Sequence, residues 1–202
     1  VSGKRAAFSQ SDNELVVTPR PKLKSGQHAR VVVTYGGTTT RPTDIEGALY
    51  GWVTTRDGAM VVSEPDGSAT WFPSNDHPTD KAGYSFEVTV PEGLVAVANG
   101  TLTGSQTSGG RTTWQWDAPD PMAAYLATAS IGNFALTTYT APNGTPVIDA
   151  VDRDRPASAS ADLALTGEML GFFESRYGPY PFVAYGAIVD DDSVGYALET
   201  QT

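Results

Sequence analysis

The residues of this chain that could do chemistry are mostly acids. Glu64 stands between Ser63 and Pro65, and Glu199 lies in Tyr196-Ala197-Leu198-Glu199-Thr200. Asp76 lies in Phe72-Pro73-Ser74-Asn75-Asp76-His77-Pro78, and Asp190, Asp191 and Asp192 form a run. Taken alone, Glu199 reads as an exposed strand acid and Glu64 as a turn acid before proline. The Asp190–Asp192 run could suggest calcium. It lacks the glycine and terminal glutamate spacing of an EF-hand loop, so it reads as a solvated turn. Zinc is short of ligands. A catalytic zinc takes three protein ligands, usually with two or more histidines at helical spacing. This chain has His28 and His77 and no cysteine. His28 reads as a surface residue at a strand edge and His77 as a turn residue, and neither is assigned to a metal.

The elements that must position these acids are mainly strands. His28–Tyr35 is β-branched and stops at Gly36-Gly37. Tyr84, Phe86, Val88 and Val90 alternate with polar residues, which predicts a half-buried strand. Asn99-Gly100, between Val95–Ala98 and Thr101–Thr103, predicts a type I′ hairpin. Gly109-Gly110 separates the next pair of strands, and Trp114 and Trp116 share a face of the second. Strands are also expected over Tyr125–Ser130 and Asn133–Tyr139, with a turn at Ile131-Gly132. This spacing predicts an antiparallel sandwich or saddle-like domain. After about residue 150 the texture changes. Leu165, Met169, Phe172 and Phe173 recur with helical period, which predicts one long helix within 157–178, N-capped by Ser158 or Ser160 and stopped by Gly178-Pro179. Strands are expected over Ala184–Asp190 and Tyr196–Thr200.

Composition sets outer bounds. The chain has 202 residues, is 40% hydrophobic and 18% charged, and carries a formal net charge of −10. That supports a packed globular chain and gives no basic field for nucleic acid or an anionic membrane. An acidic protein attracts cationic groups, peptide amino termini among them. No apolar run reaches the length of a membrane span. Without cysteine the redox compartment is open, and both secreted and cytoplasmic locations stay open. Oligomeric state is equally open.

Two motifs carry a resemblance. The stretch from Glu64 to Pro78, with Phe72, Pro73, Asp76 and Pro78, resembles a Q-x-E-like element followed by F-P-C-x-D-x-P. Gly195-Tyr196-Ala197-Leu198-Glu199-Thr200 resembles G-A-M-E-N. Both belong to the zinc aminopeptidases of the M1 (aminopeptidase N-like) family. Pro121–Thr128 also resembles a strand of that family. Ser74 stands for the usual Cys, Val62 stands where a Gln is often found, and the zinc motif H-E-x-x-H is absent.

The resemblance implies a fragment of a zinc metallo-aminopeptidase that releases N-terminal residues from peptides. Residues 1–150 would be its N-terminal β domain without the first strands. Residues 151–202 would begin a thermolysin-like catalytic domain, cut before the zinc motif. It implies that Tyr196, Ala197, Leu198 and Glu199 line the cleft edge, and that Glu199, with Glu64, binds the substrate's α-amino group. An ammonium has three donors and no acceptor, so two carboxylates satisfy it better than one. Phe72, Pro73, Asp76 and Pro78 would be structural, Asp76 bonding its own downstream backbone as aspartates in turns do. Zinc would belong to the parent enzyme, with none bound to this chain, no catalytic residue in it and no activity from it alone. Peptides with free amino termini are the implied partners. A non-catalytic β-sandwich binding module or scaffold is the alternative.

Overall fold

The computed structural model of the protein describes residues 1–39, 43–155, 157–195 and 198–202. The strands of the described residues form four sheets. β1 (Ala7–Ser11) and β2 (Glu14–Thr18) make a two-stranded hairpin. β3 (Gly51–Thr54), β4 (Ala59–Val62), β6 (Val95–Ala98) and β9 (Ala129–Gly132) form a sheet in the order β3-β4-β9-β6. β5 (Lys81–Pro91), β7 (Thr101–Ser108) and β8 (Arg111–Ala123) form a third, in the order β5-β8-β7. β10 (Phe134–Thr140), β11 (Pro146–Asp152) and β12 (Tyr185–Val189) form the last. All named pairings are antiparallel except β11–β12, which is parallel. Parallel neighbours need a long crossover. Here it contains α1 (Ala157–Leu163) and α2 (Thr166–Tyr177).

The aromatic alternation of β5 and β8 sets the main core. Phe86 pairs with Trp116 and Val88 with Trp114 in register. Trp116 Nε1 donates to Ala96 O at 2.9 Å and Trp114 Nε1 to Leu94 O at 3.2 Å, which joins this sheet to β6 and the loop before it. A buried indole needs such an acceptor, and the bare backbone before and along β6 provides two. Val97, Ala98, Phe134 and Ala150 complete the cluster, so three of the four sheets meet around Trp116.

Five local expectations differ from the structure. His28–Tyr35 forms no strand, and Val31, Val32 and Val33 are exposed. β-branched content is a preference for a pleated, half-buried surface, and no ladder among the described residues gives this stretch one. Asn99-Gly100 is not a hairpin turn. Only Gly100 has a positive φ, 88°, and a type I′ turn needs two. β6 pairs with β9 while β7 pairs with β8, so the dipeptide is a corner between sheets. Tyr125–Ser130 splits into a short 3-10 turn, Ala124–Leu126, and β9, which runs through the expected turn at Ile131-Gly132. The expected single helix is two, broken at 164–165, and the apolar stripe that announced it faces out. Leu165, Met169, Phe172 and Phe173 are exposed, while Thr166 and Leu170 are buried, Leu170 beside Ala141 and Val147. The side chains of Ser158 and Ser160 lie outside the described residues, as do Tyr196 and Ala197 of the last expected strand; 198–202 is not strand.

Candidate functional site

Glu64 is placed by the burial of what precedes it. Every residue of β4 is buried, as is Ser63, and the chain leaves the sheet at Glu64, which is half-buried. The 3-10 turn Gly67–Thr70 then folds back onto the start of β3. Trp52 N–H donates to Thr70 Oγ1 at 3.0 Å, and that hydroxyl donates to Gly67 O at 2.7 Å. Gly51 permits this approach. Its φ is 72°, and a Cβ there would lie 2.2 Å from Thr70 Oγ1.

Glu199 is placed by a tail clamped on both sides. Val194 and Leu198 pack on Val53, Met60 and Val62 of β3 and β4. Gln201 O accepts from Asn99 Nδ2 at 2.6 Å, and Thr202 Oγ1 accepts from Gly100 N at 2.8 Å. The fully buried Asn99 side chain also donates to Leu126 O at 3.0 Å and accepts from Thr128 N at 2.7 Å. Two distant chain segments, 126–128 and the tail at Gln201, therefore converge on one amide. The first adjoins Tyr125, and the second carries Glu199.

Glu64 and Glu199 meet. The Glu199 backbone N–H donates to Glu64 Oε2 at 3.0 Å across 135 positions of sequence. The Tyr125 hydroxyl donates to Glu199 Oε2 at 3.0 Å. That bond to a carboxylate holds the Tyr125 hydroxyl above its ordinary pKa, with burial and the negative charges of Glu199 and Glu64 adding to it. The site is thus a pair of glutamates, one half-buried and one exposed, braced by one phenol. Tyr125 and Asn99 were missed by the sequence reading. The only hint of Tyr125 was its place in Pro121–Thr128, which read as core.

Phe72, Pro73, Asp76 and Pro78 lie on the segment that follows Glu64 in the chain. Phe72 packs edge-on to Trp71 at 4.6 Å and to Tyr84 at 6.1 Å between ring centres. Asp76 Oδ2 accepts from Ala69 N at 3.3 Å, so it braces the turn after Glu64 and bonds upstream, not downstream. Burial pushes the Asp76 carboxyl above its ordinary pKa, against the opposing pull of the Ala69 and Ser68 backbone N–H groups. Pro73 and Pro78 are exposed.

The acidic run is not a solvated turn. One carboxylate oxygen each from Asp57, Asp152 and Asp191 lie within 4.8 Å of one another. Asp57 belongs to the β3–β4 turn, which is pressed on β9; a Cβ on Gly58 would lie 1.8 Å from Ile131 O. Arg56 closes the outer side, with Nε 2.8 Å from Asp191 Oδ2 and Nη2 2.6 Å from Asp154 Oδ2. Asp190 lines a neighbouring cavity of about 280 Å³ with Ile188, Val194 and Leu198. Burial first, and then the Asp191 side chain, push its carboxyl up to about 6.

The sequence pattern of the peptidase M1 N-terminal domain matches residues 3–126. No curated protein matches the chain in sequence. Among solved structures, a two-domain M1 zinc metallopeptidase variant bound to L-arginine is similar at 26% identity and a TM-score of 0.84, over 95% of this chain and 45% of that one. The M1 zinc metallopeptidase of Deinococcus radiodurans is similar at 26% identity and a TM-score of 0.82, with the same coverage. A variant of it bound to a Tyr-Ser-Ala substrate gives 0.84. The chain spans about half the length of these relatives. Their zinc finds no ligand set among the described residues. His77 Nδ1 is engaged with Thr79 Oγ1 at 2.8 Å, His28 is exposed, and the three-aspartate cluster offers only hard oxygen donors. No helix of the described residues is long and apolar enough to cross a membrane. The mainly β fold built around Trp116 and the match over residues 3–126 agree, and the chain belongs to the M1 peptidase family.

Proposed function

We propose that this chain supplies the amino-terminus grip of a zinc aminopeptidase that releases N-terminal residues from peptides, and that it performs no catalysis by itself. The single observation that carries the reading is the meeting of Glu64 and Glu199. Two neighbouring carboxylates would give an α-ammonium more than one charge-assisted acceptor, each worth about 1.5–3 kcal/mol. The Tyr125 hydroxyl orients the Glu199 carboxylate. A charge anchored there fixes the distance from the amino terminus to the bond that is cut, which is what limits such an enzyme to one residue at a time. Leu198 holds the segment down on β3 and β4, and Tyr196 and Ala197, the other residues of its motif, lie outside the described residues. Phe72, Pro73, Asp76 and Pro78 are its structural support. Relatives bound to L-arginine, to L-tryptophan and to Tyr-Ser-Ala accord with a site for free amino termini. Residues 1–150 form the N-terminal β domain in this reading, and 151–202 open the catalytic domain. The division falls between β11 and α1. The zinc of such an enzyme is held by residues other than those described.

The test is Glu199→Gln in an enzyme carrying both domains and the zinc motif. The change is expected to raise KM for free-amine aminoacyl substrates and to lower kcat/KM roughly 10- to 100-fold, the size of one charge-assisted bond. N-acetylated substrates should stay poor throughout. An unchanged kcat/KM for free-amine substrates would discard the amine-anchor assignment.

A further inference from the structure

The carboxylates of Asp57, Asp152 and Asp191 are each half-satisfied, in the same way. Asp57 Oδ2 accepts from Asn133 N at 2.8 Å, Asp152 Oδ1 from Asp154 N at 2.8 Å, and Asp191 Oδ2 takes the Arg56 guanidinium. The other oxygen of each, Asp57 Oδ1, Asp152 Oδ2 and Asp191 Oδ1, is buried and has no hydrogen-bond partner. Asp152 is 2% exposed, and the Asp191 side chain 13%. Unpaired buried carboxylate oxygens are costly, and here three carboxylates that each carry one come within 4.8 Å of one another. Burying a charge is tolerated only when it is paired or coordinates a metal. Arg56 offsets only part of this charge: its one cation is shared between Asp191 and Asp154, reaches Asp152 only through space, and leaves the second oxygen of each cluster carboxylate without a donor.

We propose that Asp57, Asp152 and Asp191 form a structural calcium site. All the donors are hard oxygens, which excludes the nitrogen and sulfur chemistry preferred by zinc. Calcium takes six to eight oxygen ligands in irregular geometry, whereas magnesium demands a near-ideal octahedron and keeps most of its water. The donors come from a turn, a strand end and a loop, an arrangement that suits the less demanding ion. The site joins the β3–β4 turn, the end of β11 and the segment leaving β12. It thereby ties the tail that carries Glu199 to the sheet that carries Glu64. The inference stands on the aspartates alone and is independent of the amine-anchor reading.

The experiment uses the purified protein stripped with EGTA and returned to calcium chloride. Melting temperature is expected to rise by about 5–10 °C at a hundredfold excess of calcium over Kd, since binding to the native state alone stabilises it by mass action. Terbium chloride should bind at one per chain, seen by tryptophan- or tyrosine-sensitised luminescence, and calcium should displace it. Asp152→Asn should abolish both responses. Should that variant fail to fold, Asp57→Asn and Asp191→Asn should each weaken the calcium response at least tenfold in concentration. No calcium-dependent shift together with no terbium binding at millimolar concentration would overturn the site. A full response in Asp191→Asn and Asp57→Asn would overturn the ligand assignment. An equal response to magnesium chloride would overturn the choice of calcium.

Discussion

Glu64 receives a hydrogen bond from the backbone of Glu199, so one glutamate positions the other through the main chain, while the Glu199 carboxylate takes its own bond from Tyr125. Removing the first acid should therefore disturb the second residue even where no substrate is present. In Glu64→Ala the Glu199 amide loses its acceptor. Its hydrogen exchange should accelerate by up to about tenfold, matching a net bond of about 0.5–1.5 kcal/mol. In Glu64→Gln an amide oxygen still accepts, and most of the protection should remain. Equal protection in both variants, measured by exchange at that amide, would show that the bond does not hold the tail.

Asn99 makes a sharper test of the tail. Its amide serves Gln201 O and Thr128 N, both buried, and Leu126 O, which is part-buried. Asn99→Ala strands two carbonyls and one N–H. Each unsatisfied buried group costs about 1–3 kcal/mol, and water entering the vacated space relieves part of it. A loss of about 3 kcal/mol in urea unfolding is expected. Asn99→Asp should be no better, because a carboxylate cannot donate to either carbonyl. A loss below about 1 kcal/mol in Asn99→Ala would mean that the corner is held by packing alone.

The two faces of α2 should respond oppositely to truncation. Leu170 is 7% exposed against Ala141 and Val147, so Leu170→Ala should cost about 2–4 kcal/mol through lost burial and a cavity. Phe172 is 55% exposed, and Phe172→Ala should cost about 1 kcal/mol or less in this chain despite the larger side chain. Comparing the two midpoints in one denaturant series decides it. Equal losses would mean that the helix docks by its apolar stripe.

What was legible in the sequence follows from the range of the interactions involved. β5 could be read because alternation is local, and Tyr84, Phe86, Val88 and Val90 do share the inner face. Helix was legible after Pro156 for the same reason, yet period alone did not say which face docks; Leu170 is buried and the stripe around it is not. Glu64 and Glu199 were legible through the motifs around them, while Tyr125 between them was not, since one hydroxyl in a core-like strand leaves no pattern. Asn99 was misread because Asn-Gly is a turn signal only when neighbouring strands pair with each other, and here each strand finds a different partner. The acidic run failed in the same way. Asp191 is drawn out of solvent only when Asp57 and Asp152 arrive from distant segments.

The parallel pairing of β12 with β11 also bears on how the chain is made. β11 is complete at Asp152, but its outer neighbour begins only at Tyr185. At a synthesis rate of roughly 5–20 residues per second, that edge waits about 2–7 s for its partner while α1 and α2 emerge. During that interval the strand Val147–Val151 offers an open row of backbone donors and acceptors. Nascent chains are therefore most exposed to mispairing with one another before β12 arrives, and slowing translation between Arg153 and Ala184 should lower the yield of folded protein more than an equal pause upstream of β10.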